Sequence, residues 1–303
     1  MSFIITILGS GAAIPLLSRY PTAHLVQVHN TMILLDCGEG TQMQLRKYVS
    51  KSLRIGHIFI SHLHGDHFYG LIGLVNTFHL LGRQKELHIY GIPALKQILD
   101  LQLEQSWTTL AYPLIFHQIN PDVPEIIMED KHITVSTIPL NHRIPTCGFL
   151  VREKNPRRKI RKDFLEKVKV PHSEFERLRD GDSFVDANGQ EFPNNEITED
   201  PRPAKSYAYC TDTAFHEAMI PQIRGCDLLY HETTFAQDKR EDARAKFHST
   251  AVEAATIASL AKVKKLMIGH YSARYQEVDV LLKEAMAIFP ETIAAEDGKV
   301  VEL

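Results

Sequence analysis

Short apolar runs bounded by glycine-rich or polar turns alternate along most of this chain with stretches whose apolar residues recur at helical spacing. Residues 3–8 read as a strand running into Gly9-Ser10-Gly11, and residues 31–36 as another. Residues 40–48 predict a short helix, 66–81 a longer one and 86–90 a strand. Residues 93–106 predict a helix with Pro93 in its first turn, where the missing N–H has no helical partner to lose. Several strands follow between Pro113 and Glu153. After Ser206 the alternation resumes, with strands at 206–210, 226–230 and 265–268 and helices at 249–261 and 278–288. Thr250 and Glu253 have the spacing of a capping box. The pattern predicts a mixed α/β fold of stacked layers.

One segment leaves that alternation. Residues 152–169 hold nine Lys or Arg against three acidic residues, and residues 174–200 hold nine acidic against two basic. Residues 152–203 therefore read as an insertion projecting from the core. Its basic half can meet phosphates through charge alone, or its two halves can pair with each other.

Composition narrows the picture less. A chain of 303 residues with 44% hydrophobic content can bury a full core, and a net charge of −3 announces no nucleic-acid partner. Cys37, Cys147, Cys210 and Cys226 lack C-x-x-C spacing and sit in or near apolar runs, so buried free thiols are expected. The first residues carry no basic leader, and no apolar run approaches the ~18 residues of a membrane span. A cytoplasmic protein without membrane association is the expectation.

The chemistry is concentrated in Ser61-His62-Leu63-His64-Gly65-Asp66-His67, directly after the apolar Ile58-Phe59-Ile60. Imidazole and carboxylate are the usual ligands of divalent zinc, and three histidines with an aspartate exceed what one ion needs. On a strand ending at His62, His62 and His64 would share a side. Gly65 then lets the chain turn, swinging Asp66 and His67 toward a second ion. A two-metal site is predicted. Further ligands stand just beyond other β-type runs: His142 after residues 133–140, Asp212 after 206–210 and His270 after 266–269. Strand tips delivered to one sheet edge are where open α/β folds bind ligands.

His62-x-His64-x-Asp66-His67 with His142, Asp212 and His270 resembles the metallo-β-lactamase superfamily. The closer resemblance is to the ribonuclease Z family, endonucleases that mature the 3′ ends of transfer RNA precursors. It rests on Leu35-Asp36-Cys37-Gly38-Glu39-Gly40-Thr41-Gln42, on Phe68-Tyr69-Gly70-Leu71 after the metal loop, and on His231-Glu232-Thr233-Thr234-Phe235. His248-Ser249-Thr250 and His270-Tyr271-Ser272-Ala273-Arg274-Tyr275 complete it, in family order over essentially the whole chain.

The resemblance implies an αβ/βα sandwich, one catalytic domain over residues 1–303, with the insertion at 152–203 as a flexible arm that grips tRNA. It implies two zinc ions per subunit, one held by His62, His64 and His142, the other by Asp66, His67 and His270, with Asp212 bridging; the ligand set admits manganese as well. Asp66 would accept a proton from the attacking water, His248 would protonate the leaving 3′ oxygen, and Glu232 would orient His248. Asp36 would accept from a ligand histidine, and Arg274 would meet a phosphate or an ion-pair partner. The implied partners are precursor tRNA and a second copy of the chain in a homodimer, with no nucleotide cofactor. A small-molecule phosphodiesterase or arylsulfatase of the same superfamily is the alternative, although a small substrate has no use for an arm. Two departures from the family bear on substrate grip. Pro171-His172-Ser173-Glu174 stands where a glycine-proline element is common, and the early loop Pro15-Leu16-Leu17-Ser18-Arg19-Tyr20-Pro21 keeps only the arginine of its basic set.

Overall fold

In the computed structural model, which describes residues 3–154 and 156–303, the strands collect into two seven-stranded sheets. The first runs Val300–Glu302, Phe3–Gly9, Ala23–Val28, Thr31–Leu35, Ile55–Phe59, Leu87–Gly91, Leu114–Gln118. Its first four strands pair antiparallel and the rest parallel. The second runs Thr292–Ala294, Leu266–Gly269, Leu228–Glu232, Ser206–Cys210, Cys147–Glu153, Ile133–Pro139, Ile126–Glu129, the first four parallel.

Period-two alternation decides what each strand buries. Tyr207 and Tyr209 enter the core between the sheets with Phe3, Ile5, Phe59 and Phe149. Their neighbours Ala208 and Cys210 face the other way, onto the helices Ala251–Ala261 and Asp279–Ile288. On the first sheet Leu34, Ile58 and Ile89 likewise meet the helices Thr41–Tyr48, Leu71–Leu80 and Pro93–Gln105. The layers are therefore helix, sheet, sheet, helix, the αβ/βα sandwich. At roughly 1.5–3 kcal/mol for each large apolar side chain fully buried, three such interfaces supply the driving force for folding. The capping box forms as expected: Thr250 Oγ1 accepts from Glu253 N at 3.2 Å, and Glu253 Oε2 from Thr250 N at 3.1 Å.

Two expectations change. The helix read over 66–81 is two, Gly65–Phe68 and Leu71–Leu80. The break falls where Gly70 N donates to Cys37 O at 2.9 Å, seating the metal loop on the Asp36–Gly38 turn. The strand read as ending at His62 stops at Phe59. Ile60 N still donates to Tyr90 O at 2.9 Å, but Ser61 N is taken by Asp36 Oδ1 at 2.8 Å, which ends the ladder.

Glu153–Ala204 forms a second compact unit, described by itself. Ile160, Phe164, Leu178, Phe184 and Ile197 make its core, and Lys159–Ile160 pairs with Thr198–Glu199. Arg157 meets Glu176 at 3.2 Å and Asp180 at 3.1 Å, and Lys159 meets Glu199 at 3.4 Å, so part of the basic half is paired with the acidic half. All four cysteines are buried free thiols. Among the described residues no helix is long and apolar enough to cross a membrane.

Gly70 has an ordinary φ of −75°, so its constraint is space: a Cβ there would stand 2.1 Å from Gly38 O. Gly70→Ala should cost about 1–3 kcal/mol in urea unfolding, the usual range for overpacking. Gly56→Ala, with nothing within 4 Å of its added carbon, should stay within about 0.5 kcal/mol of the parent.

Candidate active site

The seven candidate ligands come from five places in the chain and meet at one edge of the sandwich. His62 and His64 follow the strand Ile55–Phe59, and Asp66 and His67 lie in the single turn Gly65–Phe68. His142, Asp212 and His270 follow Ile133–Pro139, Ser206–Cys210 and Leu266–Gly269. Asp36 and His270 hold left-handed backbones (φ 57° and 58°), an uncommon conformation that turns each side chain inward at a strand end. A short parallel pairing of Tyr271–Ser272 with Gly11–Ala12 fixes the chain just past His270.

Two groups of ligand atoms result. His64 Nδ1 lies 3.1 Å from His62 Nε2 and 3.2 Å from His142 Nε2, and Asp212 Oδ2 is 3.6 Å from both of those Nε2 atoms. Across the carboxylate, Asp212 Oδ1 is 3.2 Å from His67 Nε2 and 3.0 Å from His270 Nε2. Asp66 Oδ2 closes that group at 3.5 Å from His67 and 3.3 Å from His270. A tetrahedral ion with bonds of about 2.0–2.1 Å separates its ligand atoms by about 3.3–3.4 Å, so both groups have the edge lengths of a metal cage.

The donor set agrees. His67 Nδ1 donates to Asp36 Oδ2 at 2.8 Å and His142 Nδ1 to Phe247 O at 2.9 Å. Ser61 Oγ donates to Asp36 Oδ2 and so accepts from His62 Nδ1 at 2.9 Å. Thr234 Oγ1 donates to Glu232 Oε2 and accepts from His270 Nδ1 at 2.9 Å. With these tautomers, assigned from the network, each Nε2 turns a lone pair toward the others. Facing lone pairs repel unless positive charge sits among them. The titration behaviour says the same. Burial pushes His62 down to about 4, helped by charge on His67, so it stays a neutral ligand. His67 moves well above its usual value: burial opposes this, but Asp212, Asp66 and Asp36 outweigh it. In the absence of a cation the site takes up a proton; a divalent ion supplies the charge instead and releases it.

A second carboxylate organises the other wall. Glu232, fully buried at the tip of Leu228–Glu232, accepts from Thr213 N, Ser249 N, Thr234 N, Thr234 Oγ1 and His248 Nδ1, the last at 2.8 Å. Burial lowers the His248 pKa, but the Glu232 carboxylate beside it reverses this and lifts it to about 9. Asp212, His248 and His270 form a third group close enough to surround an ion.

A cavity of about 600 Å³ opens onto these groups, with Arg143, Lys246 and Arg274 among its lining residues. Arg274 also pairs with Asp242 at 3.6 Å and covers the Phe235 ring at 4.8 Å. Arg143 and Lys246 were not singled out in sequence, since no spacing marks a surface cation as facing a site. Thr234, Ser61 and Tyr209 were missed too, although Ser61 and Thr234 stand beside residues already chosen. Arg19, the retained loop arginine, is buried: it donates to Tyr275 O and Gln276 O and lies over the Tyr271 ring. It is spent on structure. His24 is core, bonded to Tyr207 Oη at 2.7 Å.

Asp36→Asn keeps the shape but removes the charge that backs His67 and, through Ser61, His62. Divalent-ion affinity measured by titration should fall about 10- to 100-fold, the usual cost of losing a partner behind a ligand.

Comparison with known proteins agrees with this geometry. The family model described as Anti-Pycsar protein Apyc1 matches residues 3–155. Ribonuclease Z of Bacteroides thetaiotaomicron is 45% identical over 301 residues, covering 99% of this chain and 95% of that one. Human tRNase Z, short form (ELAC1), is similar with a TM-score of 0.71 and 28% identity, covering 98% of each chain. The metallo-beta-lactamase fold protein YhfI of Bacillus subtilis is similar in fold, with a TM-score of 0.68 at 23% identity and all of both chains covered. By its first half the chain belongs to the family of Anti-Pycsar protein Apyc1, and by relatives that match it from end to end it belongs to the ribonuclease Z family, endoribonucleases built on the metallo-β-lactamase fold.

Proposed function

We propose that this protein is a two-zinc endoribonuclease that removes 3′ trailers from tRNA precursors, leaving a 3′-hydroxyl on the tRNA and a 5′-phosphate on the trailer. The observation that carries the reading is the pair of ligand cages sharing Asp212, beside a histidine held protonated by Glu232. His62, His64 and His142 would hold one ion and Asp66, His67 and His270 the other, with one Asp212 oxygen toward each. When bound, the ions would acidify water and neutralise charge developing on the phosphate.

The chain's own groups divide the remaining work. Asp66 is held ionised, well below the usual carboxylate range; burial opposes this, but the neighbouring His67 prevails. Ala13 N, donating at 2.7 Å, fixes its Oδ2, and by the family resemblance Asp66 would accept a proton from the attacking water. His248 would donate a proton to the leaving 3′ oxygen, and Glu232 keeps that proton in place through Nδ1. Arg143, Lys246 and Arg274 give the cavity mouth the charge that phosphates need. The 153–204 unit, with its basic first half, would grip the tRNA body, and a homodimer would let one chain's arm serve the other's site.

His248→Ala should lower kcat on a labelled precursor tRNA by about 10²–10⁴-fold with little change in KM. Because His248 must be protonated and its pKa is raised to about 9, the parent rate should fall as pH rises through that value, and the variant should lose that limb. Chelator should abolish cleavage, with product ends mapped at nucleotide resolution.

Deleting residues 155–200 should abolish precursor cleavage and spare hydrolysis of bis(p-nitrophenyl) phosphate. Equal retention of both would favour a small-molecule phosphodiesterase.

A further inference from the structure

The catalytic groups account for the floor of the cavity but not for the aromatic ring at its rim. Tyr69 lines the same cavity as His64, Asp66 and His248, yet it is 65% exposed while its neighbours His67 and Phe68 are buried. Exposure of one ring is ordinary on a protein surface, but here the exposed ring lines the cavity that holds the candidate ligands.

Three observations say how the ring is held. It packs against Gly65: a Cβ there would meet Tyr69 Cε2 at 2.2 Å, Cδ2 at 2.5 Å and Cζ at 2.7 Å. The absence of a side chain in the middle of the metal loop is what lets the ring rest on it. Tyr69 N donates to Gly65 O at 2.9 Å, and the Phe68 ring supports Tyr69 at 4.9 Å between centroids. Among the described residues nothing hydrogen-bonds the hydroxyl. The ring is thus seated on backbone at Gly65 and otherwise largely open.

The other phenyl ring lining the cavity cannot take the same role. Phe235 is 2% exposed, and Lys246 and Arg274 stand over it at 5.6 and 4.8 Å. It serves to carry cations for phosphate. Tyr69 is left as the exposed π-face next to the ligand cages. Bases splayed from a single strand are held by stacking on such faces, whatever their sequence.

We infer that Tyr69 is a substrate-positioning shelf on which a base adjoining the scissile phosphate stacks, an inference that rests on the endoribonuclease reading. The shelf orients the single-stranded end so that the next phosphate falls between the cages and His248. It takes part in no proton transfer, so its loss acts on binding.

Steady-state cleavage of precursor tRNA by Tyr69→Ala, Tyr69→Leu and Tyr69→Phe tests this, with substrates carrying an abasic residue on either side of the scissile bond. Tyr69→Ala and Tyr69→Leu should raise KM about 5- to 150-fold with kcat little changed, and Tyr69→Phe should stay within about twofold of the parent. At one of the two positions the abasic residue should cost the parent enzyme the same factor and Tyr69→Ala nothing further. Parent-like divalent-ion content and thermal melting would certify that the variants are folded and loaded with metal; a variant that fails this check is replaced in the comparison by Tyr69→Leu or Tyr69→Phe. Parent-like KM in Tyr69→Ala, or additive penalties at both positions, would overturn the shelf while leaving the endoribonuclease intact. A parent enzyme that does not cut the precursor would remove the endoribonuclease reading and the shelf with it.

Discussion

The structure turns on one oxygen, Asp36 Oδ2. It accepts from Ser61 Oγ at 2.8 Å, His67 Nδ1 at 2.8 Å and Tyr209 Oη at 2.7 Å, while Oδ1 takes Ser61 N. Asp36 ends a strand of the first sheet and Tyr209 belongs to the second, so this contact ties the two halves of the sandwich where the site opens. A fully buried carboxylate is tolerated only when its lone pairs are filled, and here they are. The same contacts set the tautomers of two candidate ligands, so folding and metal readiness depend on one group.

Glu232 repeats the device on the other wall with a different result. It backs His270 through the Thr234 hydroxyl and His248 directly. Burial would raise its pKa, but His248 beside it prevails, and the carboxylate stays ionised. The Thr234 hydroxyl stands between Glu232 and His270, whereas His248 meets the carboxylate directly at 2.8 Å. Two buried acids thereby orient four histidines, His62 and His67 through Asp36 and His270 and His248 through Glu232.

The surroundings divide along similar lines. Cations at the cavity mouth are carried by Phe235 or by acidic neighbours, which aims them without burying charge. In the 153–204 unit the pairing of Arg157 and Lys159 with Glu176, Asp180 and Glu199 shows that the opposite charges of its halves also hold it together. Exposed pairs of this kind contribute little each to stability.

Much was legible in the chain itself because it is local. Alternation in Ser206–Cys210 is a property of successive residues, as is the Thr250–Glu253 cap, and both stand in the structure as read. Ligand candidates were legible because His62, His64, Asp66 and His67 crowd into one turn and the rest follow strand ends. Distances between residues far apart in the chain were not. Nothing near Tyr209 says that its hydroxyl meets Asp36, or near Gly70 that it rests on Gly38; the helix expected over 66–81 breaks for that reason. Arg19 and Arg274 look alike as sequence, yet one is buried under backbone oxygens and the other lines the cavity. The sequence by itself determined which elements form and which side chains are able to bind a cation. Only tertiary structure decided which nitrogen faces the cation, which histidine keeps its proton and which aromatic stays open, because those depend on partners that long-range packing brings within hydrogen-bond reach.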